Sequence, residues 1–168
     1  MIKLHRNLLL EEEQQFLKDK CDNFIETHSP FVDGNRNRSY HKYKLDETIE
    51  LLDLQKRLLS FLKETIGADM EFAGFVINRV DNTTNQNDHY HIDNSDWTIV
   101  TYINDEFVGG DFVYTLGNKE DTHIKVEKNL SIIMNKETPH KITPITTGVR
   151  FSFACFFNYI PKIKKSII

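Results

Sequence analysis

Residues 150–157 read Arg-Phe-Ser-Phe-Ala-Cys-Phe-Phe, and this run decides how the chain is expected to fold. A short apolar run that is rich in aromatic residues is typical of a buried β-strand. Because side chains alternate between the two faces of a strand, one face would carry Arg150, Ser152, Ala154 and Phe156. A buried arginine is costly unless an anion pairs with it. We therefore expect Arg150 and Ser152 to bind a carboxylate, and the alternative is a strand-end arginine paired with a surface acid.

Similar short runs of β-branched and aromatic residues recur from residue 70 onward, and turn signals separate them. The predicted strands are Glu71–Val80, Trp97–Asn104, Asp111–Leu116, His123–Glu127, Leu130–Asn135, Lys141–Ile145 and Arg150–Asn158. Many short strands that follow an opening pair of helices favour a β-sandwich or barrel with helices on one face.

The first third of the chain is predicted to be helical, because apolar residues recur there at helical spacing. A first helix is expected over residues 9–27, with a buried stripe of Leu10, Leu17, Cys21 and Phe24. A second is expected from about 46 to 66, with Asp46 as the N-cap and Gly67 at the C-terminal end. Its predicted stripe is Leu51, Leu54, Leu58 and Phe61.

The segment Ser29–Lys44, between these helices, is rich in Gly, Asn, Asp and Ser, which predicts a loop. Loops of this length in a compact domain are often functional. Its side chains could contact a substrate or simply face solvent; they include Arg36, Arg38, Tyr40, His41 and Tyr43.

A His-x-Asp pattern at His91 and Asp93 indicates a metal site, because residues two apart on an extended segment point to the same side. His140 offers a third ligand from a later strand. Two histidines and one carboxylate form the facial triad of non-haem iron oxygenases, which leaves open positions on the metal. Each piece alone is weak, since His-x-Asp occurs often by chance and a lone histidine is more often a surface or core residue. The hypothesis depends on their combination with Arg150, ten residues after His140.

Composition narrows the class of protein further. A chain of 168 residues suggests one domain, and a net charge of −4 argues against a general affinity for nucleic acid. Cys21 and Cys155 lie in apolar patterns and are expected to be buried free thiols. We expect a cytoplasmic protein, because no apolar run resembles a signal peptide or a membrane span. The sequence does not indicate an oligomeric state.

Taken together, these residues resemble the 2-oxoglutarate/Fe(II)-dependent dioxygenases, nearest to the prolyl 4-hydroxylase-like branch. The motifs are His91-x-Asp93, Gly109-Gly110-Asp111-Phe112, His140 and Arg150, and the resemblance covers about residues 70–159. It implies a mainly β fold, the double-stranded β-helix or jelly roll, with N-terminal helices packed on one sheet. It also implies a single domain over residues 1–168, with a helical part over about 1–68 and the β-helix core over about 70–159.

The resemblance assigns roles residue by residue. His91, Asp93 and His140 would ligate Fe(II), and Arg150 would bind the distal carboxylate of 2-oxoglutarate. Ser152 would complete an Arg-x-Ser pair. Tyr102, in a Tyr-Ile-Asn sequence that resembles the Tyr-Leu-Asn of prolyl hydroxylases, would donate to the same carboxylate or be a core aromatic. Thr98 and Val100 would share the inward face of the Tyr102 strand, Phe112 would line the pocket, and Gly109-Gly110 would form the turn before Phe112 or serve turn geometry alone.

The implied reaction is hydroxylation of an unactivated C–H bond with O2, with release of succinate and CO2 and with ascorbate as a further candidate cofactor. The expected substrate is a peptidyl residue, with proline as the first candidate, and the alternative is a free amino acid or small metabolite. A different class of function is a non-catalytic, cupin-like metal-binding module. Nucleic-acid demethylation is not favoured, because no second arginine follows Arg150.

Two features depart from the family pattern. Several relatives carry a tyrosine near the position of Val80, and the segment Asp81–Tyr90 is rich in asparagine and lacks the usual glycine. His89 is expected to be exposed, with a role near the metal or the substrate as the alternative.

Overall fold

The computed structural model describes residues 1–22, 48–83, 89–117 and 120–161, and the backbone of residues 31–33 and 38–43. The described residues form two helices, α1 (Glu11–Asp22) and α2 (Ile49–Ile66). They also form eleven strands: β1 (Ile2–Arg6), β2 (Phe31–Asp33), β3 (Arg38–Tyr43), β4 (Met70–Asp81), β5 (Trp97–Tyr102), β6 (Phe107–Gly109), β7 (Phe112–Tyr114), β8 (Thr122–Ile124), β9 (Leu130–Asn135), β10 (His140–Ile142) and β11 (Ile145–Tyr159).

The strands form two antiparallel sheets. The larger has the order β1-β9-β5-β11-β4-β3-β2, with β6 also paired to β11, and the smaller has the order β10-β7-β8. This arrangement is the jelly roll that the resemblance implied, a mainly β fold with the helices packed on one sheet. The predicted fold class is confirmed.

The two helices cover one face of the larger sheet. Buried leucines of α2 form one apolar cluster with Leu17 and Cys21 of α1 and with the outward side chains of the central strands. Those strand residues are Trp97, Ile99, Ile133, Phe153, Cys155 and Phe157. Arg57 of α2 donates hydrogen bonds to Glu13 of α1 and to the carbonyl oxygen of Leu8, which joins the helices to each other.

The structure corrects several details of the helix predictions. The N-cap of α2 is Thr48, whose hydroxyl accepts from the backbone N–H of Leu51 at 3.3 Å, and not Asp46. Gly67 ends α2 with a φ of 72°, as predicted. Leu62 is the fourth fully buried residue of α2, whereas Phe61 is only partly buried. Leu10 is 48% exposed and does not belong to the buried stripe of α1, and Phe24 lies outside the described residues.

A second apolar cluster fills the space between the two sheets. It contains Tyr102, Phe112, Val126, Leu130, Ile132 and Met134. Strand β11 thus has one face toward the helices and one toward this interior, and Arg150 and Ser152 lie on the interior face. Arg150 lies well inside β11, which extends from Ile145 to Tyr159, so it is not a strand-end residue.

Four strands were not predicted from the sequence: β1, β2, β3 and β6. The loop prediction for Ser29–Lys44 is wrong for Phe31–Asp33 and Arg38–Tyr43, because these form a hairpin that extends the larger sheet beyond β4. Arg36 lies outside the described residues. Among the described helices, none has the length and apolar character needed to cross a lipid bilayer.

Candidate metal centre

His91, Asp93 and His140 come together at one end of the jelly roll. One potential ligand atom from each lies within 4.8 Å of the others, and the two imidazole centroids are 4.3 Å apart. The backbone creates this proximity, since the N–H of His91 donates to the carbonyl of His140 at 3.0 Å and the reverse bond measures 2.9 Å. The His-x-Asp segment is thereby fixed to the first residue of β10.

The imidazole of His140 is oriented by its neighbours. Its Nδ1 lies 3.0 Å from the carbonyl oxygen of Thr138, and because a carbonyl can only accept, Nδ1 carries the proton. Nε2 is then the nitrogen that retains a lone pair for a metal. Phe112 stacks on the ring, with centroids 5.2 Å apart and an interplanar angle of 16°. Phe112 therefore lines the site, as predicted.

A residue of strand β5 orients the carboxylate of Asp93. The hydroxyl of Thr98 donates a 2.6 Å hydrogen bond to Oδ2 of Asp93, and Thr98 is buried. Thr98 faces the interior as predicted, while Trp97 points to the helices. No pattern in the sequence predicted the contact between Thr98 and Asp93.

A group of buried polar side chains adjoins the metal centre on the same interior face. Arg150 is 5% exposed, and its Nη1 donates to the carbonyl oxygen of Gly110 at 3.3 Å. Its guanidinium carbon lies 5.8 Å from the ring centroid of Tyr102. Tyr102 is the register partner of Ser152, and both are buried. The three side chains predicted to bind the cosubstrate are thus brought together.

The hydroxyl of Tyr102 is buried and makes no hydrogen bond to any part of the chain that the structure describes. Burial raises the pKa of Tyr102 to about 12, although the charge of Arg150 acts to lower it. The phenol is therefore protonated at neutral pH and can donate a hydrogen bond. A buried donor with no acceptor costs about 1–3 kcal/mol, so this position suits a ligand that supplies an acceptor.

Gly109 and Gly110 have φ values of 82° and 72°, which favour glycine over any residue with a side chain. A methyl group on Gly109 would lie 2.0 Å from the carbonyl oxygen of Pro144. The pair therefore serves both turn geometry and the site, because the Gly110 carbonyl reaches Arg150.

The remaining sequence predictions for the site are resolved in part. His89 is exposed, as expected, and its carbonyl oxygen lies 3.5 Å from Nδ1 of His91. Val80 is the register partner of Arg150, so an aliphatic side chain stands beside the arginine on β4. Residues 84–88 of the asparagine-rich segment lie outside the described residues.

No protein-family model and no curated protein sequence matches the chain. Solved structures do match it along nearly its whole length. An oxidoreductase of the 2OG-Fe(II) oxygenase family from Burkholderia pseudomallei has a TM-score of 0.75 at 14% identity, covering 94% of this chain and 84% of that one. A prolyl-4-hydroxylase from Pseudomonas putida has a TM-score of 0.72 at 12% identity, covering 95% and 93%. The chain has the fold of the 2OG-Fe(II) oxygenases.

Proteins with this oxygenase fold that match the chain differ in what they bind. HygX from Streptomyces hygroscopicus, solved with nickel and 2-oxoglutarate, has a TM-score of 0.69 at 12% identity, covering 94% of this chain and 82% of that one. Other matches are a Trichoplax adhaerens prolyl hydroxylase in complex with a peptide fragment, and an epimerase and a carbocyclase from nogalamycin biosynthesis. The oxygenase fold therefore leaves the substrate of this chain open.

Proposed function

We propose that this protein is an oxygenase that depends on Fe(II) and 2-oxoglutarate. The observation that carries the proposal is the convergence of ligand atoms of His91, Asp93 and His140 within 4.8 Å of one another, with the buried Arg150 and Tyr102 on the same interior face of the larger sheet. The shared fold supports the proposal, and the function itself rests on these side chains.

The three candidate ligands fit iron chemically. Two imidazoles and one carboxylate form the donor set of non-haem Fe(II) oxygenases, and they leave three of six positions open. Their placement also suits a metal, because His91 and His140 are locked by two backbone hydrogen bonds and Asp93 is oriented by Thr98. A role in packing alone does not explain why ligand atoms of two histidines and an aspartate lie within 4.8 Å of one another.

The adjoining polar group fits a carboxylate. Arg150 offers a guanidinium that can bind a carboxylate with two parallel hydrogen bonds, Tyr102 offers a protonated hydroxyl, and Ser152 can donate a third bond. Tyr102 and Thr98 lie on the same face of β5, and Phe112 packs with Tyr102 and stacks on His140, so the carboxylate site and the metal site lie on one side of the larger sheet. A dicarboxylate cosubstrate could therefore reach both.

When bound, iron and 2-oxoglutarate supply the oxidising chemistry, with O2 consumed and succinate and CO2 released as a C–H bond is hydroxylated. The protein binds the cosubstrate through Arg150, Tyr102 and Ser152. It orients the metal ligands through Thr98 and the Thr138 carbonyl. Phe112 and Val100 provide apolar walls, which exclude water from the reaction space.

For the substrate we propose a peptidyl residue, with proline as the first candidate. Prolyl hydroxylases are among the structures of the same fold, and one of them was solved with a peptide fragment. A free amino acid or small metabolite is the second candidate, because the same fold also occurs in HygX bound to hygromycin B and in enzymes of nogalamycin biosynthesis.

Binding of the metal and of 2-oxoglutarate is tested first, with Mn(II) in place of Fe(II). We expect isothermal titration calorimetry to show one metal per chain, and 2-oxoglutarate to raise the Tm only when the metal is present. His91→Ala and His140→Ala should both lose the metal. Full retention of the metal by both variants would contradict the assignment of the ligands. If the metal-loaded protein does not bind 2-oxoglutarate, the non-catalytic, cupin-like module is favoured.

Turnover then separates the substrates. Succinate release and a mass gain of one oxygen should appear with proline-containing peptides. If free amino acids turn over and peptides of every composition do not, the small-metabolite alternative replaces the peptidyl one.

A further inference from the structure

The contact between Thr98 and Asp93 does more than satisfy a polar group. Asp93 is half-buried and lies in a segment without regular secondary structure, so its carboxylate could rotate about the side-chain bonds. The hydroxyl of Thr98 donates to Oδ2 of that carboxylate at 2.6 Å, a short bond of the kind that charged acceptors form. This bond selects one orientation of the carboxylate.

Thr98 is itself fixed in place. It is 2% exposed, and it lies on a central strand where Met134 of β9 and Phe156 of β11 are its register partners. A β-branched side chain has few accessible rotamers, so the position of the hydroxyl is set by the sheet. The sheet therefore controls the orientation of a residue that lies outside it.

The two oxygens of Asp93 are thereby made unequal. A threonine hydroxyl has one proton, and it is given to Oδ2, so the lone pairs of Oδ2 are partly engaged, while no residue that the structure describes hydrogen-bonds Oδ1. The engaged oxygen is the weaker metal ligand. A hydrogen bond to one oxygen favours metal binding through the other oxygen alone, whereas an unrestrained carboxylate can bind through both.

We propose that Thr98 is a positioning residue that keeps Asp93 a one-oxygen metal ligand. The inference rests on the proposed function of the site. A one-oxygen aspartate with two histidines leaves three of six positions open, whereas chelation by both oxygens leaves two. Since a chelating 2-oxoglutarate occupies two positions, Thr98 preserves the third.

A structural role is the alternative, in which the bond only stabilises the turn before β5. Thr101 provides the matched control for that reading, because it is a buried threonine of the same strand that hydrogen-bonds Ser131 at 2.7 Å. It belongs to neither the metal site nor the carboxylate site. Thr98→Val and Thr101→Val remove one buried hydroxyl each, with nearly the same change of shape.

The experiment compares wild type, Thr98→Val, Thr98→Ser and Thr101→Val by three measurements. These are the Tm without metal, the visible absorption spectrum of the Co(II)-loaded protein, which reports coordination number, and the Kd of 2-oxoglutarate for the Mn(II)-loaded protein. We expect Thr98→Val to change the Co(II) spectrum and to weaken 2-oxoglutarate binding roughly tenfold. This is the lower end of the effects on metal affinity or activity that follow when a hydrogen-bond partner of a metal ligand is removed. Thr98→Ser, which keeps the hydroxyl, should restore both, and Thr101→Val should change neither.

The inference is overturned if Thr98→Val and Thr101→Val give the same Co(II) spectrum and the same Kd as wild type. It is also overturned if Thr98→Val merely lowers the Tm by the same amount as Thr101→Val. If Thr98→Val does not fold, the comparison of Thr98→Ala with Thr98→Ser carries the same test. If the wild-type protein binds neither Co(II) nor Mn(II), both the proposed function and the inference are wrong. If the wild type binds the metal and 2-oxoglutarate but Thr98→Val has the same Co(II) spectrum and Kd, only the inference is wrong.

Discussion

Between residues 150 and 157, both faces of strand β11 lie in the interior of the protein, but one face is apolar and the other includes polar side chains. The face toward the helices consists of Phe151, Phe153, Cys155 and Phe157, whereas the interior face carries Arg150, Ser152, Ala154 and Phe156. On the helix side, burial raises the pKa of the Cys155 thiol well above its usual value, so the thiol is inert. Burial alone therefore does not distinguish the apolar core from the candidate site. The presence of buried polar side chains distinguishes them.

The largest expected effect comes from the helix-facing side. Phe153 is completely buried among apolar residues, so Phe153→Ala should lower the free energy of unfolding by about 3–5 kcal/mol. Urea denaturation measures this. The affinity of the folded variant for 2-oxoglutarate should stay close to that of wild type. A variant that loses affinity in proportion to stability would show that the two faces do not act separately.

The next effect is expected on the interior face. Arg150→Ala should weaken 2-oxoglutarate binding by about 3 kcal/mol, more than a hundredfold, because it removes one partner of a buried charge pair. Calorimetry with Mn(II)-loaded protein should show metal affinity nearly unchanged. Arg6→Ala is the control, since Arg6 is an exposed arginine paired with Glu127 and lies away from the site. Unchanged 2-oxoglutarate affinity in Arg150→Ala would contradict the assigned role.

The third prediction concerns the pH dependence of stability, and it depends on strand β4, where Arg79 and Asp81 form an ion pair. Burial acts to raise the pKa of Asp81, but hydrogen bonds from Thr83 and Arg79 outweigh it and lower the pKa to about 2. Because the folded pKa lies below the unfolded value of about 3.9, this group stabilises the fold by about 2 kcal/mol above that value. The contribution should disappear as the pH falls from about 4 to 2.

Urea denaturation between these pH values, on wild type and Asp81→Asn, measures the effect of Asp81. The variant should show a flatter dependence of stability on pH, while the exposed Asp53→Asn should behave like wild type. Parallel curves for wild type and Asp81→Asn would argue that Asp81 does not contribute to acid stability.

The smallest expected effect is on the interior face, where one substitution should raise the stability and lower the affinity for 2-oxoglutarate. Tyr102→Phe removes a buried hydroxyl that the described residues leave without an acceptor, so the ligand-free protein should gain about 1 kcal/mol of stability. The same change should weaken 2-oxoglutarate binding by about 1 kcal/mol, since one donor to the carboxylate is lost. Thermal denaturation and calorimetry on the same samples provide both values. A loss of stability without a change in affinity would place Tyr102 in the core alone.

Much of this architecture could be predicted from local patterns. The alternation in residues 150–157 indicated a strand with an inward arginine, and Leu130–Asn135 was predicted with its observed bounds. The pairing of His91 with His140 followed from a motif whose parts each had low specificity. These predictions worked because strand periodicity and ligand spacing are properties of short segments.

What was missed depends on tertiary contacts. Strand β1 is short and almost wholly exposed, and its apolar and polar alternation covers only Ile2 to His5, which is too brief to predict a strand. It is an edge strand, and its pairing with β9 fixes its position. Asp46 is the stronger N-cap by residue type, and only the folded geometry selects Thr48. The bond from Thr98 to Asp93 and the carbonyl of Gly110 at Arg150 depend on how segments distant in the chain approach each other.

The pairing of β1 with β9 has a consequence for biosynthesis. Ile2 lies opposite Met134, so Ile2–Arg6 leaves the ribosome long before its partner strand does. Until Leu130–Asn135 is available, the backbone hydrogen-bonding groups of this segment have no sheet to join, and such non-local pairings form slowly. The central strands β5, β9 and β11 of the larger sheet also lie in the second half of the chain and are synthesised late. Nascent chains that stop before β9 should therefore expose sheet edges and be candidates for chaperone binding.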